Sequence, residues 1–327
     1  MSIKLVFEYV CSLIIMVSAA LSYFKIAAHF NIIDQPNKRS SHNIPTIRGG
    51  GILFSLSLLL FFLWNNFAYP YLFLAVLISA IISFVDDILI VNNLLKFLIH
   101  VIAAFLIFKE CQILTSVPIW YLLALAIIII GIINAYNFMD GINGITGLYS
   151  IVLVFTLCIT EINAQLQSLQ IFIIIGLLVF LYFNARKKAR CFAGDVGSIS
   201  MAIIIIFLLL TRIQQTSNYI YIGLLLLYGI DSIYTILQRL YQKENIFKPH
   251  RKHLYQYYCN EKNIPHIYVS GIYAALQLII SLAIVYNYVS YISLLIIFIF
   301  VSTVYWILKI PLIKAYDFSK SAPYSKL

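Results

Sequence analysis

One pattern runs from end to end of this chain: an apolar stretch of roughly 20 residues, then a short polar break. That is the length an α-helix needs to cross a bilayer, and in lipid only helices and closed barrels satisfy their own backbone. Residues 5–24, 50–68, 70–86, 94–109, 117–136, 144–161, 169–184, 197–212, 219–238, 267–286 and 289–309 mark about eleven such spans. No soluble domain, low-complexity linker or internal repeat interrupts them, so residues 1–327 form a single transmembrane domain. The fold class is all-α, a polytopic integral membrane protein with about 11 transmembrane helices. Composition agrees, with 62% hydrophobic and only 10% charged residues, against roughly 25% charged in soluble domains. Leu5 to Tyr23 has the look of a signal peptide, but its length, Glu8 and the similar runs behind it point to a retained helix. The five scattered cysteines suggest neither a disulfide framework nor a zinc site.

The charges divide by loop. Loops after odd-numbered spans, together with the C-terminal tail counted from Lys309, hold all but Lys4, Lys109 and Arg212 of the 22 lysines and arginines. Basic residues stay cytoplasmic, which puts the N-terminus outside and the C-terminus inside. The net charge of +10 is therefore first a topology signal, and no soluble basic domain exists to carry nucleic acid. Asp34, Asp86, Asp87, Asp140, Asp195 and all six histidines are expected on the same face, at helix ends or in loops. Asp231 falls towards the middle of the ninth span. Orientation explains the lysines but not the acids. A carboxylate at mid-bilayer costs ~2.5–3.5 kcal/mol, so acids near helix ends need partners or water. One shared cytoplasmic site accounts for them all.

Five loops on that face carry chemistry. In "NAYNFMDGINGITG", Asn134, Asn137, Asp140 and Asn143 recur at i+3 and line one helix face, after which the glycines end the helix. A helix cap is the bland alternative; three consecutive i+3 steps favour a site for ribose hydroxyls, a base edge or a hydrated cation. "ISFVDDILI" sets Asp86 beside Asp87, which repel unless a cation or a basic group intervenes, and Lys96 follows as a phosphate partner. A solvated helix end is an equal reading of that pair alone. In "RKKARCFAGDVGS", Asp195 between Gly194 and Gly197 allows close approach of a ligand and suits a metal. "FKPHRKHLYQ" supplies His250, Arg251 and His253 for an anionic nucleotide, with an ordinary basic loop as the alternative. "DQPNKRSSHNIPTIRGGG" brings Arg39, His42 and Arg48 to a glycine-led helix start, where anions bind.

Taken together, "DxPNxRSSHxxPTxRGGG", "DD", "NxxNxxDGxxG", "GDVGS" and "HRxHLYQ" resemble the polyprenyl-phosphate N-acetylhexosamine-1-phosphate transferases. That family includes the phospho-N-acetylmuramoyl-pentapeptide transferases of cell-wall synthesis. The resemblance runs from Asp34 to Gln256 in the family's order and spacing, and the short length and the "HRKHLYQ" ending are most similar to the bacterial branch that begins O-antigen or capsule repeat units. It implies transfer of a sugar-1-phosphate from a UDP-N-acetyl sugar to undecaprenyl phosphate in the bacterial inner membrane, releasing UMP. Magnesium is the implied cofactor, with manganese able to substitute, and a homodimer is compatible. Asp86, with Asp87 beside it, is then the implied base or phosphate-handling acid. Asp195 becomes the metal ligand, while Asn134, Asn137 and Asp140 line a uridine–magnesium pocket, in which Asn137 also faces the metal. His250 and His253 would hold the pyrophosphate or nucleotide. Asp231 matches an acidic position of this branch. Asn143 stands where the family usually has Asp, Lys96 where it often has Arg, and "DDILI" lacks a third acid that some members carry.

The bottom-up chemistry agrees with that implication. Two anionic phosphates must meet, one of them on a membrane lipid, and cations at an interfacial site offset their repulsion. The rival is a multispan transporter of an anionic solute, which should gather polar groups near the midplane of broken helices. An aromatic prenyltransferase would need DDxxD, which "DDILI" does not supply.

Overall fold

In a computed structural model of the chain, residues 3–36, 41, 44–89, 91–246 and 250–316 are described. Arg39 and His42, both expected to bind substrate, lie outside the described residues. Helices make almost all of the regular structure. They are α1 (Ile3–His29), α2 (Ile52–Trp64), α3 (Pro70–Ile88), α4 (Asn93–Glu110), α5 (Ile119–Met139), α6 (Ile145–Cys158), α7 (Ala164–Asn184), α8 (Gly194–Thr216), α9 (Leu226–Tyr241), α10 (Leu254–Gln256), α11 (His266–Val285) and α12 (Tyr291–Tyr316). A 3-10 segment, Tyr219–Leu225, leads into α9. Two short strands, β1 (Ile33–Asp34) and β2 (Thr46–Ile47), pair antiparallel.

Local sequence explains where several helices begin. Pro70 occupies the first turn of α3, where its missing N–H costs nothing. The Asn92 side chain accepts from Leu94 N to start α4, and Asn163 accepts from Gln165 N and Leu166 N to start α7.

Every expected span falls on a helical segment. Eight segments are long and apolar enough to cross a bilayer: α1, α3, α5, α7, α8, Tyr219–Tyr241, α11 and α12. α2 and α6, of 13 and 14 residues, are shorter apolar helices. At about 1.5 Å per residue they cover only two thirds of a hydrocarbon core roughly 30 Å thick. α4 carries Lys96, Lys109 and Glu110 within its 18 residues. The chain is thus an all-α, multi-pass membrane protein, but helix length alone gives eight crossings among the described residues, not eleven.

α8 is the hub. It is apolar all round, buried from Val196 to Leu209, and packs against α2, α3, α5 and α6. α12 instead turns Ile292, Ile296, Ile299, Phe300 and Ile307 outwards, as suits a helix facing lipid. Because successive long segments alternate in direction, the loops ending at residues 51, 92, 144, 193 and 265 gather at one end of the bundle. Two residues depart from their expected places. His100 is buried inside α4, not at a helix end. Lys309, counted with the basic tail, is 0% exposed within α12.

Candidate active site

The site is assembled by the loop that precedes α2. β2 extends into a parallel bridge between Ile47 and Cys191, and Phe192 N donates to Ile47 O at 2.8 Å. Gly50 N and Gly51 N then donate to Phe192 O and Ala193 O. This stitching lays the start of α2 on the start of α8. The fit needs glycine on both sides: a Cβ at Gly51 would stand 2.2 Å from the Gly197 Cα. Gly194 adopts φ +71°, and a Cβ there would meet Asp87 Oδ2 at 2.4 Å. The glycines of "RGGG" and "GDVGS" are therefore steric necessities of one junction.

Arg48 is delivered to that junction, with Tyr23 OH donating to its carbonyl oxygen at 2.6 Å. Its Nε meets Asp87 Oδ1 at 2.8 Å, and Nη2 lies 3.9 Å from Asp195 Oδ1. Asp87 is buried and also accepts from Asp195 N at 3.0 Å and Val196 N at 3.2 Å, so it captures the N-terminus of α8. Asp86 points to the other side, accepting from Lys96 Nζ and Val91 N, each at 2.9 Å. Burial works against the Arg48 charge, but Asp87, Asp195, Asp34 and Asp86 together hold its pKa above the ordinary arginine value.

A cavity of about 200 Å³ opens over this junction, lined by Arg48, Asp195, Asn137, Asp140 and Asn143 among others. Asp140 caps the C-terminus of α5, and Thr146 Oγ1 donates to its Oδ1 at 2.6 Å. Burial pushes the Asp140 carboxyl up to about 6, Asp195 adds to the rise, and the Thr146 hydrogen bond and Arg48 oppose it. Asn137 Oδ1 accepts from Ser198 Oγ at 3.2 Å. Asn143 is more firmly tied: Nδ2 donates to Arg186 O, the backbone N to His266 Nδ1, and its carbonyl accepts from Ser270. Asn134 stands apart from these. Its amide turns back to Ile130 O within α5, and it does not line the cavity. The i+3 series thus contributes three residues to the cavity, because the fourth lies a turn deeper in the helix.

The "HRKHLYQ" loop approaches from the far side. Tyr255 OH donates to Phe138 O, and Gln256 reaches the cavity wall. His253 and His250 stack with centroids 5.1 Å apart, behind the wall rather than in it. His250 Nδ1 accepts from Lys252 N at 3.3 Å. Burial, then the charges of His253, Arg239, Lys309 and Lys252, push His250 down to about 3. It is therefore neutral at physiological pH and offers hydrogen bonds, not charge. Arg251 turns to Glu261 at 3.5 Å, and Asp231 lies in a separate buried network with His253.

Sequence reasoning had not singled out Ser41, Asn184 or Gln256, and had counted Asp34 and His266 with the shared face without giving them a role, yet all five line the cavity. Asn184 ties two loops together, accepting from Gly144 N at 2.7 Å and donating to Cys191 O at 2.8 Å. The available signal was an amide closing the apolar run of α7, where nothing about membrane crossing calls for one.

Comparison with known proteins follows the same residues. The profile of Glycosyl transferase family 4 matches residues 69–213, which include Asp86, Asp87, Asn137, Asp140 and Asp195. The chain is 25% identical over 275 residues to "Probable undecaprenyl-phosphate N-acetylglucosaminyl 1-phosphate transferase" of Bacillus subtilis, covering 77% of this chain and 76% of that protein. It is 30% identical over 184 residues to the phospho-N-acetylmuramoyl-pentapeptide-transferase of Petrotoga mobilis, covering 46% of this chain and 56% of the relative. The corresponding Wolbachia enzyme (strain wRi) is 28% identical over 236 residues, 63% of this chain and 71% of its own. Its loops, its helical frame and these relatives agree in making the chain similar to membrane sugar-phosphate transferases of the Glycosyl transferase family 4 type.

Proposed function

We propose that the protein transfers an N-acetylhexosamine-1-phosphate from a UDP-N-acetyl sugar to undecaprenyl phosphate, releasing UMP and starting a lipid-linked glycan. A lipid phosphate oxygen forms a bond to the sugar-bearing β-phosphorus. The bond from that phosphorus to the bridging oxygen breaks, and that oxygen leaves with UMP. The observation that carries the reading is the charge imbalance at and beneath the cavity: among the described residues, Asp86, Asp87, Asp140 and Asp195 gather around Arg48 and Lys96. Like charges gathered this closely are stabilised by a cation between them.

This donor set fits magnesium. Among the described residues no three His, Cys, Asp or Glu side chains form a closed metal cage. Magnesium characteristically takes one or two carboxylates and completes its shell with water and substrate phosphates. Asp195 would hold it, with Asn137 and Asp140 close by, and when bound it would neutralise charge on the phosphates. Arg48 is placed to bind a phosphate oxygen, and Lys96 to meet the lipid phosphate. Asp86, paired with Lys96, handles that phosphate or its proton. Asp87, already committed to Arg48 and α8, keeps both in position. Asn143 and Gln256 would contact the nucleotide.

The name of the Bacillus subtilis relative favours N-acetylglucosamine as the sugar. The cavity end would face the cytoplasm of a bacterial inner membrane, where basic loops are retained and UDP sugars are made. The lipid product would enter O-antigen, capsule or other envelope polysaccharide synthesis. A transporter fits less well, because the cavity opens at one end of the bundle. The test is UMP release by membranes carrying the protein, with a panel of UDP-N-acetyl sugars. Release that depends on both undecaprenyl phosphate and magnesium is expected; release indifferent to the lipid would overturn the reading.

A further inference from the structure

Behind the cavity, Asp231 is 1% exposed in α9, and five donors surround its carboxylate. They are Tyr273 OH at 2.7 Å, Tyr305 OH at 2.9 Å, Leu254 N at 3.1 Å, Thr235 Oγ1 at 3.2 Å and His253 Nδ1 at 3.3 Å. Two of these hydroxyls also accept from Lys309 Nζ, Thr235 Oγ1 at 2.7 Å and Tyr305 OH at 2.5 Å. Each hydroxyl has a single hydrogen to give to Asp231 and lone pairs to take the ammonium. Lys309 and Asp231 are thus joined by two hydroxyl bridges, with α12 tied to α9 across an otherwise apolar interface.

An ammonium buried among apolar helices is expensive, and a leucine there would pack without that cost. What the network holds is the start of α10. Asp231 takes both Leu254 N and His253 Nδ1, while His253 N donates to Gln256 Oε1 in a capping box. Gln256 lines the cavity. With Nδ1 committed to Asp231, His253 Nε2 is buried and has no hydrogen-bond partner among the described residues. Buried polar atoms rarely stay unpaired, and this one belongs to the turn that forms the cavity wall.

We propose that Lys309, acting through Thr235, Tyr305 and Asp231, is a positioning residue for the His253–Gln256 turn. By fixing the ring of His253 and the amide of Gln256, it sets how tightly the site binds the nucleotide diphosphate half of the donor. This rests on the reading of the cavity as a UDP-sugar site. α12, which otherwise faces lipid, thereby takes part in donor binding.

The test is a double-mutant cycle in the full-length, detergent-purified protein, with Lys309→Met, His253→Ala and the pair, assayed with UDP-N-acetylglucosamine and undecaprenyl phosphate. Lys309→Met is expected to raise the KM for the UDP sugar roughly tenfold, the scale of one charge-assisted hydrogen bond. The KM for the lipid and kcat should stay within about twofold, with partial recovery in Lys309→Arg. The pair should be no worse than His253→Ala alone, because both changes break one chain of contacts. If Lys309→Met does not fold, Tyr305→Phe runs the same cycle with less disturbance of packing. Additive losses, or an unchanged KM in Lys309→Met beside an impaired His253→Ala, would overturn the positioning role alone. A His253→Ala enzyme of wild-type KM would remove the loop from the donor site, and the positioning role with it.

Discussion

At the end of the bundle opposite the cavity, Glu110 accepts the backbone N–H groups of Tyr71 and Leu72 at the start of α3. Glu161 likewise accepts from Asn163 N and Gln215 Nε2. At the cavity end Asp87 performs the same service for Asp195 N and Val196 N. The device is common to both ends: a carboxylate satisfies the unpaired donors of a helix start. The difference lies in what the captured helix carries. α3 opens with Pro70, Tyr71 and Leu72, whereas α8 opens with Asp195. Capping at the cavity end therefore concentrates negative charge instead of dispersing it, and Arg48 and Lys96 do not balance it.

The sharpest way to break this comparison is to neutralise one acid at each end. Asp195→Asn should lower sugar-phosphate transfer by on the order of 10²–10³-fold while leaving the thermal unfolding temperature in detergent close to wild type. Glu110→Gln should do the reverse, costing about 1 kcal/mol of stability with turnover unchanged. Near-normal transfer by Asp195→Asn at saturating magnesium would make the two ends equivalent, and the site would have to move elsewhere.

Asp140 tests whether a helix C-terminus can be more than punctuation. Asp140→Asn retains a side chain able to accept from Thr146 but removes the charge facing the cavity. A loss of ~10²-fold in turnover with unchanged unfolding is expected. Asn143→Asp replaces the Nδ2 donor to Arg186 O with a second acceptor, so the variant should lose about 1–3 kcal/mol of stability while its backbone ties remain. Wild-type turnover in Asp140→Asn would reduce the stretch to a cap.

A third contrast sets two glycines against each other. Gly194→Ala forces φ +71° on a residue with a Cβ and drives that atom into Asp87, so a loss of about 1–2 kcal/mol is expected from the backbone alone. Gly131 lies inside α5, where an added Cβ meets nothing within 4 Å, so Gly131→Ala should be neutral or stabilising by up to about 1 kcal/mol. Equal unfolding temperatures for the two would mean that the α2–α8 junction is not under steric control.

Much of this was legible in the chain because membrane helices report themselves by length and loops by what they carry. The apolar runs located every long helix, the i+3 spacing picked out Asn137 and Asp140, and the flanking glycines picked out Asp195, all three of which line the cavity. Contacts between distant elements were not legible. Nothing local distinguishes Asn134, which bonds its own helix, from Asn137 one turn on. The positive-inside pattern absorbed Lys309 and Arg239 as anonymous charges. In the structure both are buried, Arg239 holding Glu244 and the carbonyls of Asn245 and Ile246. Periodicity records which face a residue occupies, but a buried charge is explained only by its partners.

His250 gives the smallest effect and the finest test of the two-histidine loop. Its Nδ1 accepts from Lys252 N, and positive neighbours from the loop, α9 and α12 surround it. The folded protein therefore resists protonating it down to about pH 3, whereas an unfolded chain takes up that proton near 6.5. Between these values the unfolded state binds more protons, so stability rises with pH and acid weakens the fold. His250→Gln removes the titrating group while keeping an acceptor for Lys252 N. In detergent, wild-type protein should lose unfolding temperature on going from pH 7 to pH 5, and the variant should lose measurably less. Parallel slopes in the two proteins would show that His250 titrates in the fold as it does in the unfolded chain, and the loop would then not be what keeps it neutral.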